Sequence, residues 1–172
     1  MSLPPVPVPV PVPVDPGGFR QALSQFASGV TVVTTHDAAG TPLGLTVSAF
    51  CSVSLQPPLV LVSVDIASET HAGFRDSGVF GVSILAEGQD SVSRLFARPG
   101  TAKFRELSMR QGGRGVWLVP DALAHLECEV RAAHPAGDHV LYVGEIVSLA
   151  VRPGRPLVYQ RGGYRRLAGE AP

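Results

Sequence analysis

The chain has few cysteines and no net charge, and each shortage excludes a class of protein. Cys51 and Cys128 are its only cysteines, too few for the disulfide framework of a small secreted domain and not spaced as metal ligands. Fourteen basic residues balance fourteen acidic ones, so no net field attracts nucleic acid or an anionic membrane. The composition therefore predicts a protein with reduced thiols and no nucleic-acid partner.

The chain also lacks long apolar runs and the sequence motifs of several large enzyme classes. No run approaches the ~20 apolar residues that span a bilayer, and no signal peptide is visible at the N-terminus. There is no GxGxxG after a strand, no GxxxxGK[ST], no HExxH and no GxSxG. The five histidines form no cluster. We therefore expect a cytoplasmic protein with no membrane association and no metal.

The first residues form a low-complexity segment that differs from the rest of the chain. Residues 4–14 read PPVPVPVPVPV, a pattern typical of polyproline II. We predict a disordered Pro-Val leader over residues 1–15 and one folded domain over 16–172. The leader fits either a docking segment or spacer, or an inert tail.

The remaining pattern predicts many short strands and few helices. Asp15-Pro16 resembles a helix N-cap, with apolar residues at helical spacing up to Gly29. Further helices are expected over 68–77 and 90–97. The predicted strands cover 30–36, one or two strands in 42–55, then 59–64, 79–85, about 122–134, 139–151, 156–160 and 163–167. Since strands and helices do not alternate regularly, an all-β barrel or sandwich is favoured over a doubly wound fold.

Small hydroxyl residues are dense at the predicted strand ends. Thr46, Ser48, Ser52 and Ser54 alternate, so in one strand they would share a face. Ser63 follows in the next strand, and Ser68 and Thr70 lie at a helix start. Hydroxyls and free N–H groups at a helix start can converge on a phosphate. The alternative is that these residues simply decorate strands and caps.

A turn and two tyrosines supply the other candidates. His139 follows Gly137-Asp138 between the two long strands, where it is either a substrate-positioning group or an exposed turn histidine. Tyr159 and Tyr164 flank Gly162-Gly163 and offer aromatic surface for a flat ring, or belong to the core or a lid.

Five ordered blocks of sequence resemble one family. They read GVTVVTT, GLTVSAFCSVSLQPPLVLVSVDIASETH, FGVSILAEGQ, PAGDHVLYVGEIVSL and PLVYQRGGYRRL, and they extend from about Phe19 to Leu167. The chain is similar to the flavin reductase family of split-barrel proteins, the reductase partners of two-component flavin-dependent monooxygenases. The resemblance implies a six-stranded Greek-key barrel, a homodimer, FMN or FAD as cofactor and NADH or NADPH as co-substrate.

The resemblance also implies the residues of the site. Thr46 to Phe50 should line the flavin, with the backbone groups of Val47, Ser48 and Ala49 facing it and Ser63 and Val64 alongside. Ser68 and Thr70 should bind the phosphate and Lys103 should neutralise its charge. His139 matches the histidine near the nicotinamide, and Tyr164 lies beside the ring. Ser83, which stands where many relatives have asparagine, is a further candidate for flavin contact.

The resemblance implies an NAD(P)H:flavin oxidoreductase that passes reduced flavin by diffusion to a separate oxygenase. The cofactors supply the hydride chemistry and the protein orients them. Two alternatives stay open: a split-barrel flavin protein with another redox role, and a non-enzymatic β-barrel interaction domain. NAD(P)H-dependent flavin turnover separates the first alternative from a reductase, and flavin binding separates the second.

Overall fold

The first helix follows the expected N-cap and is shorter than expected. A computed structural model describes residues 13–169; residues 1–12 of the predicted leader lie outside this range. The Asp15 carboxylate accepts a hydrogen bond from the Gly18 N–H at 2.9 Å, and Pro16 is the first helical residue. This helix ends at Leu23 rather than near Gly29, and none of its residues is buried. Without buried apolar contacts, nothing stabilises further turns.

The described elements agree with most of the predicted order. The helices are α1 (Pro16–Leu23), α2 (Glu69–Ser77), α3 (Asp90–Phe96) and α4 (Lys103–Glu106). The first strands are β1 (Ser28–Gly29), β2 (Thr31–His36), β3 (Pro42–Val47), β4 (Phe50–Leu55), β5 (Pro58–Asp65) and β6 (Val79–Ile84). The others are β7 (Arg110–Gln111), β8 (Trp117–Leu118), β9 (Ala124–Ala136), β10 (His139–Val151), β11 (Val158–Gln160) and β12 (Gly163–Arg165).

The main sheet is antiparallel and closes into a barrel. Its seven strands have the order β3-β2-β6-β9-β10-β5-β4. The two edge strands, β3 and β4, are consecutive in the chain and are joined by Ser48 and Ala49 alone. There the Ser63 N–H donates to the Ala49 carbonyl at 3.1 Å, which links this junction to β5. The all-β barrel is confirmed, with one more strand in this sheet than the six expected.

The interruption between β3 and β4 at residues 48–49 also corrects the expectation that four hydroxyl residues share one strand face. Thr46 lies on β3, whereas Ser52 and Ser54 lie on β4, at the other edge of the sheet order. A bulge between Ser52 and Ser54 interrupts their alternation as well. The four hydroxyls therefore do not share the face of one strand, because the chain changes edges between them.

Helix α2 packs directly on β2 through a close contact at Gly73. The Thr35 hydroxyl is 3.3 Å from the Gly73 carbonyl and 2.8 Å from that of Val79. A Cβ at Gly73 would be 2.7 Å from Thr35 Cγ2, so only glycine permits this approach. Phe74, one residue on, is fully buried in the barrel core with Phe80 and Tyr142. These contacts hold α2 against the barrel, and its N-cap Ser68 lies three residues after the end of β5 at Asp65.

The described residues contain no helix with the length and apolarity that crossing a membrane requires. They also contain no group of three or more histidine, cysteine, aspartate or glutamate residues arranged to hold a metal ion. Cys51 is exposed and Cys128 is buried, and both are free thiols. Burial raises the pKa of the Cys128 thiol to about 12, so this group stays protonated near neutral pH.

Candidate active site

A cavity of about 400 Å³ lies at the N-terminus of α2. We call it the α2 cavity; it is lined by Gly44, Leu45, Thr46, Ala67, Ser68, Glu69, Thr70, Phe96, Ala97, Arg98, Pro99 and Lys103. Ser68 is the N-cap of α2, and its hydroxyl accepts a hydrogen bond from the Thr70 N–H at 3.3 Å. Thr70 is only 3% exposed. The partial positive charge of a helix start and its hydroxyls favour an anion here.

Lys103 adds a buried cation to the α2 cavity. The residue is 6% exposed, and its Nζ donates to the Arg98 carbonyl at 2.7 Å. The same Nζ lies 5.6 Å from the centre of the Phe96 ring. Burial lowers the pKa of Lys103, and the charge of Glu69 partly opposes this change. An ammonium with so little water gains from an anion that enters the cavity.

Two further cavities extend the α2 cavity into one cleft. The Tyr164 cavity, of about 210 Å³, is lined by Val30, Thr46, Ser48, Ser93, Ala97, Tyr159 and Tyr164. The Phe50 cavity, of about 460 Å³, is lined by Leu23, Phe26, Ser28, Ser48, Ala49, Phe50, Cys51 and Leu61. Thr46 and Ala97 border the first two cavities, and Ser48 borders the last two. The β3–β4 junction therefore runs along a cleft that is polar at one end and apolar at the other.

Eight of the predicted site residues line this cleft. They are Thr46, Ser48, Ala49, Phe50, Ser68, Thr70, Lys103 and Tyr164. The Thr46 hydroxyl donates to the Ser93 carbonyl at 2.6 Å, which joins β3 to α3. The Ala49 carbonyl accepts the Ser63 N–H, so one of its two acceptor positions is taken. Ser48 is exposed and is the freest polar group of the junction.

The structure does not bring Val47, Ser63, Val64 or Ser83 into the cleft. The side chains of Val47 and Val64 belong to the buried barrel core, and the Val47 carbonyl accepts from the Thr31 hydroxyl at 2.8 Å. Ser63 borders none of the three cavities. Ser83 is fully buried, and its hydroxyl accepts the Val119 N–H at 3.0 Å. The expectation of a flavin contact at Ser83 is therefore not met, because that hydroxyl stabilises a loop inside the protein.

His139 lies at the start of β10, as its sequence position predicts, but it borders none of the three cavities. Its side chain is 40% exposed, and Nδ1 lies 2.7 Å from the Asp138 carboxylate. This hydrogen bond, with the charge of His139, lowers the pKa of Asp138. His139 pairs with Asp65 at the end of β5, three residues before Ser68. The ring is thus held at the rim of the barrel on the α2 side.

Tyr164 lines the cleft and is hydrogen-bonded to α3. Its hydroxyl donates to Ser93 Oγ at 2.8 Å, and its ring packs edge-on against Tyr159 with centroids 5.4 Å apart. The Arg94 guanidinium lies 5.0 Å from the centre of the Tyr164 ring. Tyr164 therefore lies beside the apolar part of the cleft, and its contact with a flavin ring stays a prediction.

Sequence reasoning missed the residues that follow α3. Arg98 and Pro99 border the α2 cavity, and Ser93 receives both Thr46 and Tyr164. The only signal was Pro99-Gly100, a turn dipeptide that returns the chain to Lys103; Gly100 has φ of +83°. Glu69 was also missed because, within SETH, it reads as an ordinary acidic residue of a first helical turn.

Comparison with known proteins places this chain in a family. Residues 23–168 match the model of the flavin reductase like domain. The NADH-dependent flavin reductase of a Rhodococcus species is 46% identical over 90% of this chain and 88% of its own length. The reductase component of a 4-nitrophenol 4-monooxygenase/4-nitrocatechol 2-monooxygenase of Rhodococcus opacus is 40% identical over 88% of this chain and 80% of its own length. The chain spans about half (51%) of a further relative, a probable flavin reductase of Rhizobium meliloti.

Solved structures agree with the sequence comparison. The Streptomyces globisporus NADH:FAD oxidoreductase, in complex with NAD and FAD fragments, superimposes with a TM-score of 0.86 at 34% identity. The superposition covers 94% of this chain and 100% of that one. The predicted family, enzyme class and flavin and nicotinamide cofactors are confirmed at this level. The chain belongs to the flavin reductase family.

Proposed function

We propose that this chain uses NADH to reduce a flavin held in the cleft, and releases it to a separate oxygenase. The observation that carries the proposal is the shape and charge of the cleft. A buried ammonium and a helix start form one end, two tyrosines border the middle, and the apolar Phe50 cavity forms the other end. A flavin has the matching distribution, with a phosphate at one end and a flat ring system at the other.

In this proposal each part of the cleft has a separate task. Ser68, Thr70 and Lys103 bind the phosphate, and Phe50 and Tyr164 border the ring system. When bound, the flavin supplies the hydride acceptor and the reduced nicotinamide the donor. The protein holds the two rings in contact, which replaces a bimolecular encounter by a positioned one. No side chain needs to transfer a proton for the hydride to move.

The grip on the flavin is suited to release. Arg98 is the one arginine that borders the α2 cavity, and it is exposed. A dissociation constant near micromolar corresponds to about −8 kcal/mol, which a few charged hydrogen bonds and a stacked ring supply. Release of the reduced flavin is supported by the similarity to the reductase component of a monooxygenase. We propose FMN or FAD as the flavin.

An anaerobic assay tests the proposed function. The protein is mixed with FMN or FAD and with NADH or NADPH, and bleaching of the visible flavin band is followed. We expect rapid bleaching with NADH. A protein that quenches flavin fluorescence but does not bleach it has another redox role. A protein that does neither is a binding module.

His139 is proposed to position the nicotinamide rather than the flavin. We expect His139→Ala to raise the KM for NADH several-fold while the dissociation constant of FMN stays within about twofold, because the ring lies outside the flavin cleft. Steady-state kinetics and fluorescence titration measure the two quantities. An unchanged KM would remove His139 from the site.

We also propose that two copies form a homodimer. Leu23 and Phe26 are exposed and line the Phe50 cavity, and Phe19 is exposed on the same helix as Leu23. Leu149 and Val151 are exposed at the end of β10. Apolar side chains grouped in this way favour burial against another protein surface. Sedimentation equilibrium should give twice the chain mass of 18.0 kDa. A mass of one chain throughout the micromolar range contradicts the dimer.

The cytoplasm is the proposed location, since NADH is produced there and both cysteines are free. Residues 1–12 of the Pro-Val leader lie outside the described residues, and its role stays a prediction.

A further inference from the structure

A carboxylate borders the cavity that is proposed to receive a phosphate. Glu69 is the first residue of α2 and lines the α2 cavity between Ser68 and Thr70. Its Oε2 accepts the Gly100 N–H at 3.0 Å, which links α2 to the loop between α3 and α4. Within residues 13–169, this is the one hydrogen bond that joins these two walls of the cavity. The hydrogen bond needs an oxygen acceptor at residue 69 but not a negative charge.

The Glu69 side chain is exposed, and its charge acts on the cavity from the edge. Burial lowers the pKa of Lys103, and the negative charge of Glu69 acts in the opposite direction and raises it. Part of the attraction that Lys103 offers to an anion is therefore offset by Glu69. A negative charge near a bound phosphate is repulsive at any distance short of full screening. For a protein that must retain its flavin this would be a defect, but for one that must release it the repulsion is useful.

We propose that Glu69 is a release-determining residue, whose carboxylate keeps the flavin phosphate loosely bound while its hydrogen bond to Gly100 holds the cavity in shape. This inference rests on the proposed function, because it requires the phosphate to enter the α2 cavity. It assigns to Glu69 an effect on how long the flavin stays bound, not on hydride transfer.

Glu69→Gln separates charge from shape, because glutamine keeps an oxygen that accepts from Gly100. We expect the dissociation constant of FMN to fall about threefold to tenfold at pH 7 and low ionic strength. Stopped-flow mixing should show slower FMN release by a similar factor. Riboflavin, which has no phosphate, should bind both proteins equally within about twofold. Added salt should reduce the difference for FMN.

The matched control is Glu106→Gln, which removes one negative charge from an exposed position on α4 outside the cavity. It should leave FMN affinity unchanged within about twofold. The inference is overturned if Glu69→Gln leaves FMN affinity unchanged or weakens it, or if riboflavin tightens as much as FMN. A wild-type protein that binds neither flavin would instead contradict the proposed function.

Discussion

Replacing Lys103 by methionine should weaken FMN binding by about tenfold to a hundredfold. The substitution keeps the apolar stem against Phe96 and removes the ammonium that would meet the phosphate. Hydrogen bonds to charged groups contribute about 1.5–3 kcal/mol, which corresponds to this range. Riboflavin affinity should change little. Fluorescence titration with both flavins measures the effect, and equal loss for both would show that Lys103 only anchors the loop through the Arg98 carbonyl.

A matched control and a pH series sharpen the Lys103 experiment. Arg105→Met removes a cation from an exposed position of the same helix, so it should leave FMN affinity within about twofold. Burial lowers the pKa of Lys103 in the free protein, whereas a bound phosphate favours the charged form. FMN affinity of the wild type should therefore fall as pH rises above that lowered pKa. The methionine variant should lack this fall.

Replacing Gly144 by alanine should lower the free energy of unfolding by about 3 kcal/mol. Gly144 lies in β10, where an added Cβ would be 2.3 Å from Cζ of Phe80 and 3.1 Å from Cβ of Cys128. Phe80 is fully buried and packs with Phe74 at a centroid distance of 5.4 Å, so the ring has no free space to enter. The melting temperature should fall by about 6–12 °C.

Gly29→Ala is the control for the Gly144 experiment. Gly29 also lies in a strand, but a Cβ there meets no atom within 4 Å. Alanine should be neutral or stabilise by up to about 1 kcal/mol, because it reduces the freedom of the unfolded chain. Equal destabilisation by both variants would mean that loss of glycine itself, not the contact with Phe80, is responsible. Thermal and urea unfolding of both variants gives the comparison.

Local signals predicted most elements of the fold. Asp15 caps α1 and Ser68 caps α2 as the sequence indicated, since a capping side chain acts within three residues of itself. The long strands β9 and β10 also lie where their patterns place them. The end of α1 was missed because apolar spacing continues to Phe26, whereas Phe19, Leu23 and Phe26 remain exposed.

The structure brings some of the predicted site residues together in one cleft and leaves others outside it. Ser68, Thr70 and Lys103 come together as the resemblance implied, although Lys103 is 33 residues from Thr70 in the chain. The shared hydroxyl face of residues 46–54 was wrong, and Ser83 lies buried outside the cleft, because strand order and burial depend on the closed barrel. Glu69 and Arg98 were missed because no local pattern distinguishes them from ordinary exposed residues.

The junction of residues 48–49 has a consequence for how the protein can diversify. These two residues join the edge strands β3 and β4 of the barrel and also line the cleft. A substitution that reshapes the cleft here therefore also disturbs the connection between the two edge strands. The loop between α3 and α4, which also lines the cleft, does not connect two strands of the barrel. New substrate preferences should therefore arise through substitutions in this loop, whereas residues 48–49 should stay unchanged.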